Sequence, residues 1–243
     1  MDANEVVKGF VNRHPWELSR TACLIDELSN VIENNYAPGA PIRVLSIGTG
    51  DCYFEKRLLE KYKNMSVDAV DIAYSGVKPE GRLTQYGSLE ALPKGVMYDM
   101  VIMLDSLEYM ADSKAYVADM SSRMRKGACM FMCVPAFKKL WSRHDVIVKL
   151  LRRYDKAELE DILGASLKKC SMRYFFFSLY LVRLLQIRSG AVIDKDEKVT
   201  TGWKWGRKHP ITAFVTGALA ADFKLGGYIP VPGLSLLAVY KKA

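Results

Sequence analysis

An α/β fold, built on a mostly parallel sheet with helices on both faces, is what this 243-residue sequence predicts. Three observations carry the prediction. Short apolar runs at 42–47, 67–72, 99–104 and 128–134 alternate with helical stretches near 52–62 and 112–125, the pattern of buried parallel strands joined by crossover helices. The first run ends in Gly48-Thr49-Gly50 and the second leads to Asp71. Half of the residues are hydrophobic, enough for one α/β core with an elaboration but too few residues overall for two full domains.

In chain order, Leu18, Ala22, Ile25, Leu28 and Ile32 recur at helical spacing over 16–34, ended by the breakers Asn34-Asn35 and Pro38-Gly39. This helix is expected to pack on the sheet from outside. The run Val44-Leu45-Ser46-Ile47 then enters Gly48-Thr49-Gly50-Asp51-Cys52, where glycines allow a sharp turn without Cβ clashes and the next helix can present its amides to a ligand. Asp71 stands about 20 residues on, where a strand-end carboxylate accepts both ribose hydroxyls. Together these features point to a nucleotide-type cofactor. After Pro135 the pattern changes: Asp155-Lys156-Ala157-Glu158 reads as a capping-box start of a helix through Leu163, with Gly164 as its stop, and strand material follows at 167–177. The region 178–232 is too long for a simple connection, and Ser178–Ile187 and Ile211–Phe223 read as helices joined by a polar stretch containing Trp203 and Trp205. His209-Pro210 reads as a helix start. An apolar run over 233–240 closes the sheet. The expected organisation is a single domain over 1–243, with an N-terminal helical segment (1–40), a cofactor-binding half (41–135) and an acceptor-side half (136–243) carrying the helical insertion at about 178–232.

Charge is distributed unevenly. Residues 1–119 carry 12 Lys/Arg against 18 Asp/Glu, residues 120–209 carry 20 against 8, and the remainder carries 3 against 1, so the net charge of +8 arises in one stretch. Such a block is either a solvated face or, with its interleaved aromatics, a surface for a phosphorylated substrate, an anionic membrane or nucleic acid. The five cysteines form no Cys-x-x-Cys pair and there are only three histidines, so neither a disulfide framework nor a metal site is expected. Residues 1–5 lack the basic start and apolar core of a secretory signal, and no apolar run reaches spanning length, so a cytoplasmic protein is expected. The run Tyr174–Leu185, broken by Arg183 and set among arginines, suits either core packing or contact with the inner face of an anionic membrane.

With those elements placed, several blocks resemble class I S-adenosylmethionine-dependent methyltransferases of the bacterial small-molecule type, over nearly the whole chain. Val44–Cys52 is similar to the family's first motif, Val70-Asp71 to its ribose acid, and Gly87–Pro93 to its adenine-contacting turn. Tyr98–Tyr109 is similar to strand 4 and the following Leu-Glu-His, with Tyr109 in place of His, and Met124–Pro135 to the glycine turn and strand 5. The flanking blocks His14-Pro15-Trp16-Glu17 with Arg20, Trp141–Asp145, Arg152-Arg153-Tyr154 and Pro232–Leu236 resemble methyltransferases encoded beside bacterial envelope glycan, lipid or polyene biosynthesis genes. The resemblance implies a Rossmann-like, seven-stranded, mostly parallel sheet with an antiparallel last strand and a helical insertion before it. It also implies S-adenosyl-L-methionine as cofactor and a small-molecule, lipid-linked or glycan-type acceptor. Four positions depart from the pattern. Ser46 stands where an acid is usual, Cys52 where a third glycine is common, Ser88 where Asp commonly binds adenine, and Leu150 where the subgroup often has His. Serine for aspartate gives up a charge-assisted contact worth roughly 1 kcal/mol or more.

The cofactor-binding set expected from this resemblance is Ser46, Gly48, Gly50, Asp71, Ser88, Leu89, Asp105 and Arg20, with Arg20 taking the cofactor carboxylate. Methyl transfer to a protonated nucleophile needs alignment and a base. Asp105, beyond strand 4, orients donor or acceptor, or caps a helix; His144 with Asp145 offers a base near neutral pH, or a surface histidine and a helix cap. Tyr109, Arg153 and Tyr154 are the acceptor-side candidates, with Arg153 either binding a phosphate or pairing with an acid at the core edge. An RNA methyltransferase ranks below the small-molecule reading because no Asn-Pro-Pro-Tyr-like motif or RNA-binding module is present. A dinucleotide oxidoreductase ranks lower still, since Cys52 replaces the glycine that pyrophosphate wants. A non-catalytic methyltransferase-like protein is the remaining alternative, motivated by the four departures.

Overall fold

The computed structural model describes residues 12–189 and 203–243. In chain order the elements are α1 (Pro15–Asn35), β1 (Ile42–Ile47), α2 (Tyr53–Lys61), β2 (Met65–Val70), β3 (Val77–Glu80), β4 (Leu83–Tyr86), β5 (Tyr98–Leu104), α3 (Ser113–Ser122), β6 (Met124–Pro135), α4 (Arg143–Ile147), α5 (Lys156–Gly164), β7 (Lys168–Phe175), α6 (Phe177–Arg188), α7 (Pro210–Tyr228) and β8 (Ser235–Lys241). One sheet runs β3-β4-β2-β1-β5-β6-β8-β7. Strands β4, β2, β1, β5 and β6 are parallel, whereas β8 runs antiparallel between β6 and β7. The expected Rossmann-like sheet is therefore present, with eight strands instead of seven. The additional one is β3, paired antiparallel to β4 at the sheet edge. All four of its residues are exposed, so it has no apolar run to announce it.

The strands alternate between two cores, as a two-residue side-chain period requires. Ile42, Val44, Met100, Ile102, Cys129 and Phe131 face the layer of α1, α2 and α7, while Leu45, Ile47, Val101, Met103, Met130 and Met132 face α3 and α5. The same alternation turns Ser46 toward α2 and Cys133 toward α1. The register levels the carboxyl ends of the central strands: the Gly48 amide donates to Val70 O (2.8 Å), the Asp71 amide to Tyr86 O (3.1 Å) and the Asp105 amide to Cys133 O (2.9 Å). Three loops thus leave the sheet side by side.

Both long helices of the α1/α7 layer begin with a His-Pro pair. His14 and His209 are the N-caps, each accepting from the amide two residues on, with proline in the first turn where its missing N–H is harmless. The His14 ring packs edge-on against Trp203, 5.0 Å between centroids, and Trp205 stacks on His209 at 5.3 Å. The expected capping box at Asp155 does not form: Asp155 is the N-cap of α5 without a side-chain bond, and Gly164 is that helix's last residue, not its stop. A capping box occurs instead at Ser142–Asp145, opening the five-residue α4.

Two glycines fix α7 and the last strand against β7. A Cβ on Gly226 would lie 2.7 Å from Tyr174 O, and one on Gly233 would lie 2.2 Å from Phe175 O and 2.5 Å from Phe175 N. Gly233→Ala is expected to lower stability by about 2 kcal/mol and Tm by about 4–8 °C. Gly217→Ala, in α7 with nothing within 4 Å, should hold or raise Tm, and a pair of thermal melts checks both.

Candidate cofactor and acceptor site

The loop after β1 is built from backbone. Gly48 (φ 71°) and Gly50 (φ 54°) take left-handed conformations, and a Cβ on Gly48 would sit 2.7 Å from Ser106 Cβ, so only glycine lets this loop lie against the loop after β5. Cys52, where a third glycine is common in the family, holds a left-handed φ of 59° as the N-cap of α2, and its thiol is buried against Tyr74 Oη at 2.9 Å. Tyr74 also donates to Gly50 O (2.6 Å) and shares a bond with Thr49 (2.7 Å). Asp71 closes the loop from the other side: Oδ2 accepts from the Gly50 amide (2.8 Å) and Oδ1 from the Ala73 amide (2.9 Å). A carboxylate has further lone pairs, so Asp71 retains capacity for ribose hydroxyls.

Ser46 is not simply a lost acid. Its hydroxyl donates to Glu55 Oε1 at 2.7 Å, and both residues are buried. Glu55 Oε2 has no partner among the described residues, and burial raises the Glu55 pKa to about 7. A helix residue thus brings a carboxyl group to the end of β1, where strand position 46 carries none. The sequence reading missed it, although Glu55 shares a helix face with Leu58 and Leu59, three and four residues on.

Across the loop, Arg20 of α1 meets Asp105 at 2.5 Å and donates to Cys133 Sγ at 3.2 Å. Burial works against the Arg20 charge, but Asp105, Cys133 and Glu108 outweigh it and hold its pKa above the ordinary value. The Asp105 side chain remains 37% exposed against 13% for Arg20, and its φ of 51° aims it off the end of β5. Glu108, buried in the turn that follows, has its pKa pushed well up by desolvation and by Asp105, against the pull of Arg20 and Arg153. Trp16 lies beside this group, its ring 5.3 Å from the Arg20 guanidinium carbon. Ser88 and Leu89 sit half-buried in the turn after β4, with Leu89 packed on the core.

The acceptor-side expectations separate into two groups. Arg153 and Tyr154 are buried and engaged: Arg153 pairs with Asp145 (2.7 Å) and donates to Ala136 O (3.1 Å), while Tyr154 Oη donates to Leu107 O (3.0 Å) and meets Ser113 (2.9 Å). Arg153 therefore takes the core-edge pairing left open above. Asp145, buried, also accepts from the Ser142 amide (2.7 Å), so it is tied to Arg153 and the start of α4. Tyr109 and half-buried His144 remain at the surface of this region. Burial lowers the His144 pKa, Arg183 adds to this and Asp145 opposes it. A hollow of about 710 Å³ lies elsewhere, between α1, α2 and α7, and none of these residues lines it.

Among the described residues, buried atoms without a partner include Trp16 Nε1, Arg20 Nε, Glu55 Oε2, Ser106 Oγ and Glu108 Oε2, around the ends of β1 and β5. Buried polar atoms are ordinarily bonded, so such a grouping fits a polar ligand with donors and acceptors of its own. A family model described as a methyltransferase domain matches residues 20–168, more than half of the chain. The chain belongs to the methyltransferase-domain family. No curated protein matches it significantly. Among solved structures, this methyltransferase is similar to N-methyltransferase NodS from Bradyrhizobium japonicum WM9 in complex with S-adenosyl-L-homocysteine, with TM-score 0.54, 10% identity and coverage of 98% of this chain and 95% of that one. It is also similar to Burkholderia thailandensis 1,6-didemethyltoxoflavin-N1-methyltransferase with bound 1,6-didemethyltoxoflavin and S-adenosylhomocysteine, with TM-score 0.53, 16% identity and coverage of 99% and 82%. The [4+2]-cyclase SpnF matches as well, with TM-score 0.53, 13% identity and coverage of 89% and 80%. At these identities the likeness is one of fold, the class I methyltransferase fold.

Removing one member of the Arg153–Asp145 pair leaves a buried charge uncompensated. Asp145→Leu is expected to destabilise the methyltransferase by about 3 kcal/mol, with much of the loss recovered in Asp145→Leu/Arg153→Met, as read by urea denaturation.

Proposed function

We propose that the methyltransferase transfers the methyl group of S-adenosylmethionine to a small-molecule, lipid-linked or glycan-type acceptor. The observation that carries the cofactor side is the Gly48–Gly50 loop held on Asp71 beside the group of unpartnered buried atoms. Gly48 and Gly50 give backbone approach, Asp71 receives the ribose hydroxyls, and Ser88 and Leu89 flank the adenine. Glu55, steadied by Ser46, receives the ammonium of the methionine moiety, and Arg20 receives its carboxylate through the unbonded Nε. Asp105 positions Arg20 and faces the acceptor. The cofactor, when bound, supplies a sulfonium-activated methyl group. The chain has to align the nucleophile with it and take up the proton where the nucleophile carries one.

His144 is the base in this reading. Its lowered pKa leaves the imidazole neutral at pH 7, able to accept that proton. Asp145 acts on it only at a distance, because its own oxygens are held by Arg153 and Ser142. Tyr109 lines the acceptor side. Arg153 and Tyr154 act as scaffold beneath it. The small-molecule class is supported by a neighbour whose structure holds 1,6-didemethyltoxoflavin. The lipid-linked reading is supported by the basic, apolar half that follows β6, which suits an acceptor presented at the inner face of a membrane.

Calorimetry with S-adenosylmethionine and S-adenosylhomocysteine, with NADH as control, tests the reading. Both sulfur ligands are expected to bind and NADH is not; absence of binding by the first two at high micromolar concentration refutes it. Asp71→Ala should weaken both by about tenfold or more, as expected for lost charge-assisted bonds.

Titration adds a second test, of Glu55. Because its pKa is raised in the ligand-free fold, its ionised form accumulates as pH rises through about 7, and a cationic ammonium selects that form. Affinity is therefore expected to rise about fivefold from pH 6 to pH 7 and to lose this dependence in Glu55→Gln. An unchanged pH profile in Glu55→Gln would remove Glu55 from the cofactor site.

A further inference from the structure

The helices α6 and α7 are poorly covered by the fold they belong to. Among the twelve residues of α6 only Tyr180 is buried, and α7, nineteen residues long, buries only Thr212, Leu219, Phe223 and Gly226. Opposite that buried side, Ile211, Phe214, Ala218, Ala221, Leu225 and Tyr228 recur at alternating spacings of three and four residues, and every one of them is exposed. Phe214 is 78% and Tyr228 86% exposed. On α6, Leu181, Val182 and Leu185 form a second exposed stripe, Leu185 at 65%. Scattered surface apolar residues need no explanation, but a continuous stripe along five turns of helix marks an interaction surface.

Charge identifies the occupant. Neither helix presents a free acid: α6 contains none, and Asp222, the sole acid of α7, is spent on the start of α6, accepting from the Phe177 amide (3.1 Å), the Ser178 amide (3.1 Å) and the Ser178 hydroxyl (2.5 Å). Among the described residues, exposed cations flank the stripes: Arg188 at the end of α6, Arg207 and Lys208 just before α7, and Lys224 beside Leu225. A second copy docked on the same stripe would set these cations against their own images, and among the described residues neither helix offers a free carboxylate to pair them. Anionic lipid headgroups supply the missing countercharge, while the stripe enters the acyl boundary. No described helix is long and apolar enough to cross a membrane, so the surface lies on the bilayer and does not span it.

We propose that the exposed stripe of α7, with that of α6 beside it, docks the methyltransferase on an anionic bilayer surface. This deepens the lipid-linked reading of the acceptor above by naming the face that meets the lipid. It is independent of whether the cofactor loop works.

The α7 anchor is well separated from the cofactor loop in function, because its buried side packs on α1 and β7, where Arg173 pairs with Glu27 (2.6 Å) and donates to Phe223 O (3.2 Å). Substitutions on the exposed stripe therefore leave those contacts in place.

Co-sedimentation of the full chain with vesicles of phosphatidylcholine alone, or mixed with phosphatidylglycerol, tests the proposal. Pelleting is expected with the anionic vesicles only, weakening as salt is raised, and Phe214→Glu/Tyr228→Glu is expected to lower the vesicle partition coefficient by about tenfold or more. The variant should keep its Tm and its calorimetric affinity for S-adenosylhomocysteine, which separates a failure of docking from a failure of the cofactor reading. Three outcomes would overturn the proposal: no pelleting at any phosphatidylglycerol content, equal pelleting by the double variant, or a dimer by light scattering that the double variant dissolves.

Discussion

The site depends on how closely two loops can lie together at the carboxyl edge of the sheet. Gly48 passes so near Ser106 that a single added carbon would collide with it, and that proximity levels the ends of β1 and β5. The remaining features follow from it. Asp71 reaches the Gly50 amide because β2 ends at the same level, and Asp105 leaves β5 opposite the glycine loop with Arg20 waiting on α1. Tyr74 and Cys52 then fill the space behind the loop, so the left-handed backbone at Cys52 is held by a buried thiol where a glycine would have left a gap.

Near the ends of β5 and β6 lies a group of charges that nearly cancel. Arg20 is matched by Asp105 and Arg153 by Asp145, leaving Glu108 without a cation of its own. Its raised pKa is the expected response of a buried acid with no spare countercharge. The Arg153–Asp145 pair consequently acts as framework, holding the start of α4 against the sheet. A buried pair such as Arg153–Asp145 adds little net stability, yet it tolerates no partial removal.

Much of the fold is legible in the sequence because its central strands are buried on both faces and so read as largely apolar runs; the run at 42–47 coincides with β1. The β3–β4 hairpin is not legible, since an exposed edge strand of four residues has no hydrophobic pattern. At the site, Gly48, Gly50 and Asp71 were readable because spacing alone relates them. Glu55 was not, because an acid on a short amphipathic helix ordinarily faces water, and only the serine at position 46 hinted that a carboxyl group was wanted nearby. Arg153 illustrates the opposite case: the sequence leaves it between binding a phosphate and pairing with an acid, and the partner that decides between them, Asp145, lies eight residues earlier in the sequence.

The two His-Pro helices have a consequence for how the chain assembles. Helix α1 is made well before α7, but part of its apolar surface rests on α7, and the cap of α1 touches Trp203, which follows the whole of β7 and α6. During synthesis α1 therefore waits, partly uncovered, until α7, at Pro210–Tyr228, has emerged. Its docking is a late, long-range event, and the interval before it is when the chain is most open to misassembly or to capture by a chaperone.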